Sequence, residues 1–157
     1  MDKNISYREV SEIIAVVSVV FSLIFVGLQL KQSTIASKAA AYQELGIATS
    51  EIWFKMSSDP ALNDILFEID KDPVNGYKNL SQSDKNRAIS FVMGNLRLYE
   101  TVYLQVEQGL LDSGALNYLG WEGFGRSNLL KGTWPDAKYF VTPKFSEYIE
   151  SAYELHN

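Results

Sequence analysis

Cysteine is absent from this chain, histidine occurs once and proline only four times. The first absence excludes disulfides, thiolate nucleophiles, cysteine-rich zinc sites and iron–sulfur clusters. The single histidine, His156, is the penultimate residue, where chains fray. A general base needs a positioned partner and a dry pocket, so His156 is not expected to act. Also missing is any sustained apolar/polar alternation bounded by hairpin signals, which excludes a sheet. Excess positive charge is lacking too. Residues 1–42 carry a net +1, the remainder carries −6, and the total is −5. An acidic remainder argues against nucleic acid, whose affinity rests on Lys and Arg neutralising phosphates.

What is present is oil. Of 157 residues, 46% are hydrophobic, ample for a packed core plus an anchor. From Ile13 to Leu30 the chain holds no charged residue. At 1.5 Å per residue such a helix covers about 27 Å, close to the thickness of bilayer hydrocarbon. The reading is a single transmembrane helix over 13–30, with a short flank at 1–12 and a soluble domain over 31–157. Two other readings compete. A secretory signal could use Ala36-Ser37-Lys38-Ala39 as its small-residue cleavage site, although the apolar run is long for one. A helix buried in a soluble bundle has the same composition. Lys3 and Arg8 before the run are matched by Lys31 and Lys38 after it, so the positive-inside count is tied.

Helical signals continue past the run to Ser58-Asp59-Pro60, with Gly46 the weak point. Asp59 is placed to cap a second helix and Pro60 to occupy its first position. Pro73, Asn75 and Gly76 make 70–80 a turn-rich loop. Ser81 and Asp84 resemble a capping box that opens a helix over about 82–111. Asp112 is placed to cap a further helix through about 131, weakened by Gly114, Gly120, Gly123 and Gly125. Thr142-Pro143 opens a last helix reaching about 155. The predicted fold is all-α, one transmembrane helix continuing into a small helical bundle.

Gln29-Leu-Lys-Gln-Ser33 leaving an apolar span, then Ala39-Ala-Ala-Tyr-Gln43, Tyr99-Glu-Thr-Val-Tyr103, Gln108-Gly-Leu-Leu-Asp112 and Thr142-Pro-Lys-Phe145, resembles a family of small bacterial proteins usually left uncharacterised. The likeness spans nearly the whole chain. It implies one N-terminal span in the inner (cytoplasmic) membrane and a cytoplasmic C-terminal helical domain. It implies no catalytic residues.

Several stretches invite chemistry. Glu68-Ile-Asp-Lys-Asp-Pro-Val-Asn-Gly76 spaces acids like a calcium loop, but Pro73 stands where glycine is required and Asn79 where glutamate is required, so a solvated acidic turn is expected. The glycines of Leu119-Gly-Trp-Glu-Gly-Phe-Gly-Arg126 fit neither a P-loop nor a dinucleotide fingerprint, and close helix packing around Trp121 and Phe124 is expected instead. Projected at 100° per residue, Glu100 falls beside Ile89, Val92, Met93, Leu96 and Tyr103, with Glu107 on the same line, while Ser90, Gly94, Arg97, Thr101 and Gln108 face away. A carboxylate on an apolar face must be paired or hydrogen-bonded. Glu100 and Glu107 are therefore read as buried polar groups that lock the bundle, with catalysis the lesser alternative for Glu100.

Projected along the apolar run and its flanks, Ser11, Ser18, Ser22 and Gln29 share one stripe, with Ala15, Phe25, Ser33 and Ala36 alongside. Spacings of seven, four and seven form a heptad seam. Inside lipid, small residues admit a neighbouring helix and polar ones bond across the contact. A single span has no intramolecular partner, so the stripe implies self-association or docking to another membrane protein. The alternative is that the serines bond back to their own helix carbonyls. The sequence thus reads as a membrane-anchored, homo-oligomeric interaction module without cofactor or catalysis. A small homo-oligomeric channel lined by Ser18, Ser22 and Gln29 and constricted by Phe25 is the competing reading, and an enzyme the third.

Overall fold

The computed structural model describes residues 7–155; His156 and the first six residues, Lys3 included, lie outside them. Among the described residues there is no strand, as the missing two-residue period requires. Two compact units follow one another, Met1–Ala41 and Tyr42–Asn157.

The first unit is formed by the leading part of α1 (Tyr7–Ser58). Its apolar side chains lie open, Phe21 at 68% and Leu23 at 67% exposure. This helix is long and apolar enough to cross a membrane, and none of its most apolar 18-residue stretch is buried. The compact second unit begins at Tyr42, not at residue 31 where the loss of uncharged sequence places it. Residues 31–41 extend the helix without entering a core.

In the second unit α1 ends at Ser58 because Asp59 precedes proline, which disfavours the helical region; Asp59 is extended, with φ −110° and ψ 93°. Side chains bond carbonyls near that end: Ser58 donates to Phe54 O at 2.7 Å and the Asn63 amide donates to Met56 O at 2.9 Å. The Asp59 carboxylate caps α2 (Pro60–Lys71) by accepting from the Leu62 N–H at 3.1 Å. Leu62, Ile65 and Ile69, one face of α2, are buried. Asp72 then accepts from the N–H groups of Val74 and Asn75, folding the acidic segment into a turn. The turn leads into the short α3 (Gly76–Asn79). Gly76 is obligatory there, since a Cβ would lie 2.7 Å from Glu68 O and Ile69 Cα.

The spine is α4 (Gln82–Glu107), whose N-cap Ser81 accepts from the Asp84 N–H. Ala88, Val92, Leu96 and Val102 are fully buried along it. Ser90, Gly94, Arg97, Thr101 and Gln108 face outward as the projection places them. The helix stops short of the expected residue 111. Gly109, at φ +70°, donates to Val106 O, and Leu110 donates to Gln105 O, the paired bonds of a Schellman end.

The single helix expected over 112–131 is instead three: α5 (Ala115–Tyr118), α6 (Trp121–Gly125) and α7 (Asn128–Ala137). Gly120 at φ +79° turns the chain between the first two, and Ser127 caps the third through the Leu130 N–H. Asp112 caps no helix; it accepts from the Tyr42 hydroxyl at 3.4 Å. Beyond α7 a 3-10 turn (Lys138–Phe140) leads to α8 (Pro143–Tyr153), which starts at the expected Pro143. Trp121, Trp134, Phe145 and Ile149 fill the centre at 2% exposure or less. Each such apolar side chain contributes roughly 1.5–3 kcal/mol on burial.

Candidate functional site

The residues expected to matter fall in three places. Ser11, Ala15, Ser18, Ser22, Phe25 and Gln29 are all exposed on the apolar helix. The serine protons are already committed within that helix: Ser11 donates to Arg8 O, Ser18 to Ile14 O and Ser22 to Ser18 O, at 2.8–2.9 Å. Their oxygens can still accept. Gln29 makes no hydrogen bond among the described residues, so within the stripe its amide retains both donors and acceptor.

Glu100 is buried at 4% exposure. Its Oε1 accepts from the Thr142 backbone N–H at 2.5 Å, and its Oε2 accepts from Arg97 Nη1 at 2.9 Å. Both oxygens thus hold structure together. Glu107 corrects the expectation. Its side chain is 44% exposed and paired with Lys144 of α8. It is the last residue of α4, past the packed layer, so sharing a helical line with Glu100 does not bury it.

The third place was not anticipated: a cavity of about 450 Å³ inside the second unit. The α1 residues Thr49, Ile52, Trp53 and Met56 form one wall, at the i, i+3, i+4, i+7 spacing of a helix face. Opposite stand Phe91, Asn95, Leu98 and Tyr99 of α4. Leu66 and Asp70 of α2, with Leu119, Gly120, Gly123 and Phe124, close the sides. Glycine makes room here. A Cβ at Gly120 or Gly123 would meet nothing within 4 Å, whereas one at Gly125 would strike the Tyr153 ring at 2.4 Å. Close packing therefore explains Gly125 alone of the glycines in that cluster.

The three hydroxyl groups of this lining all donate to backbone carbonyls. Thr49 donates to Leu45 O, Ser127 to Phe124 O and Tyr99 to Leu119 O. Burial, aided by Tyr153 nearby, pushes the Tyr99 hydroxyl up to about 12, so it stays a donor at neutral pH. The Asn95 amide donates to Phe91 O at 2.9 Å, which leaves its carbonyl oxygen without a partner among the described residues. Asp70 accepts from Asn128 through one oxygen at 3.1 Å. The lining's hydroxyl protons are thus occupied, while the second Asn95 amide N–H and the Trp53 indole N–H have no partner among the described residues. In the acidic segment at 68–76 the Asp72 carboxylate is taken up by the Val74 and Asn75 N–H groups, and among the described residues no group of three or more His, Asp or Glu is placed to hold a metal ion.

No protein-family model matches the chain, and no curated protein or solved structure matches it either.

Proposed function

We propose that this protein is a single-pass inner-membrane protein whose apolar helix anchors and self-associates, and whose helical domain presents a cytoplasmic binding surface, without catalysis. The observation that carries the reading is the apolar stretch of α1, none of which is buried although the chain builds a separate core after Tyr42. In water that surface would be a severe liability, since exposed apolar patches of this size mark membrane or partner contacts. Gln29 supports association through the helix, as its unpartnered amide can donate and accept across a symmetric contact. Cytoplasmic placement is supported by the resemblance to small bacterial proteins with one N-terminal span. Binding in place of chemistry is supported by Glu100, whose two oxygens are both engaged by the bundle.

The anchoring test is extraction. Wild-type protein should stay with membranes washed in alkaline carbonate, and Val20→Lys with Ile24→Lys should release it, each lysine costing about 2.5–3.5 kcal/mol at a span centre. Wild type recovered wholly in the wash would overturn the anchor. Orientation is read separately. The chain has no native cysteine, and Ser113 is exposed. Ser113→Cys should resist a membrane-impermeant thiol reagent in intact cells and react after lysis; labelling before lysis would reverse the topology.

A further inference from the structure

The cavity between α1, α4 and α6 has the attributes of a small-molecule site. Its volume of about 450 Å³ lies within the roughly 300–1,000 Å³ of ligand pockets, which are mostly apolar with a few placed polar groups. We propose that it binds an organic cation: an aliphatic or aromatic body carrying one ammonium group.

Three observations select that chemistry over other apolar ligands. First, four aromatic side chains, Trp53, Phe91, Tyr99 and Phe124, contribute to the lining, and the faces of such rings attract a cation within about 6 Å of their centroids. Second, Asp70 is the charged residue of the lining. It is exposed, with one oxygen held by Asn128, so its negative charge sits at the rim. Third, the hydroxyl protons of Thr49, Ser127 and Tyr99 point to backbone carbonyls, while the Asn95 carbonyl oxygen has no partner among the described residues. An ammonium has donors and no acceptor, so it can bond both the Asn95 carbonyl oxygen and the Asp70 carboxylate. A carboxylate would meet Asp70 with like charge.

Trp53 reports on the site, at 60% exposure while Trp121 and Trp134 are sealed at 1% and 2%. Full-length protein containing 5-fluorotryptophan, held in lipid nanodiscs, would be titrated with octylammonium, 1-octanol or octanoate below their aggregation limits, following the fluorine resonance of Trp53. Octylammonium should shift it saturably, about tenfold more tightly than octanol, and octanoate should bind most weakly. Asp70→Asn should bring octylammonium to within about twofold of octanol. Gly123→Leu, at a position where a Cβ meets nothing, should fill the cavity and remove saturable binding of every probe while the melting transition persists. If Gly123→Leu melts early, the Asp70→Asn comparison decides. No saturable shift, octanoate binding as tightly as octylammonium, or unchanged titrations in both variants would overturn the proposal. The inference does not depend on membrane anchoring, which the carbonate wash tests separately.

Discussion

Glu100 in α4 receives the backbone N–H of Thr142, 42 residues further along, at 2.5 Å. Thr142 is the N-cap of α8, yet its own side chain caps nothing. The carboxylate of a distant helix instead takes up the N–H of the N-cap residue itself, one of the orphan donors at the start of α8.

Removing that carboxylate should take the acceptor from the Thr142 N–H in a part-buried contact and the partner from Arg97, at about 1–3 kcal/mol. Glu100→Ala should accordingly lower the melting temperature by several degrees, while Glu51→Ala, at an exposed position, should leave it nearly unchanged. Equal melting temperatures for the two variants would remove the idea.

Tyr99 and Tyr77 give a base-side pH dependence. Burial raises both hydroxyls to about 12, aided by Tyr153 for Tyr99 and by Asp136 for Tyr77, against about 10 in an unfolded chain. A raised folded value means that the native state favours the protonated form. The contribution is therefore complete below pH 10 and is lost as pH rises toward 12. Thermal midpoints should hold to about pH 9 and then fall. Tyr99→Phe should fall less steeply above pH 10 than wild type; superimposable profiles would count against this account.

Two glycines should respond oppositely to the same substitution. Gly76→Ala drives a Cβ into the Glu68 and Ile69 backbone at 2.7 Å and should destabilise by about 1–3 kcal/mol. Gly94→Ala, in the exposed middle of α4 with nothing within 4 Å, should stabilise by about 0.8–1 kcal/mol through helix propensity. Differential scanning calorimetry of the pair decides; a shared sign contradicts the geometry.

Gln29→Leu should retain membrane insertion and shift detergent-solubilised protein toward smaller species, since interhelical bonds of this kind are worth about 0.6 kcal/mol and at most roughly 1.7. Leu28→Ala, on another face, should not. The serines of the stripe already bond to their own helix, so the effect should concentrate on Gln29. Native mass spectrometry reads the distribution. Identical oligomers for both variants would show that the seam is not the interface.

The sequence was most legible where a backbone rule and a side-chain rule coincide. Asp59-Pro60 and Ser81 mark their helix starts because the cap and the φ restriction act within a few residues. Gly109 carried the stop of α4 equally openly, but a continuing apolar pattern through Leu110 and Leu111 outweighed it. The burial of Glu100 followed from its helical face, yet Thr142 as partner could not, because that contact depends on how α8 returns across the bundle. The cavity was half written. Thr49, Ile52, Trp53 and Met56 are a visible apolar stripe, but an unfilled volume depends on what the opposing helices fail to supply, and Gly123 reads the same whether it packs or vacates.

The apolar face of α2 packs against α4 and α7, and this has a consequence during synthesis. Translation proceeds at about 5–20 residues per second, so Leu62, Ile65 and Ile69 leave the ribosome seconds before Leu130 and Trp134 exist to cover them. A nascent chain must therefore carry an uncovered greasy ridge through that interval. Its vulnerability to proteases and its demand for chaperones should be set by the rate at which codons 70–134 are read, more than by the stability of the finished bundle.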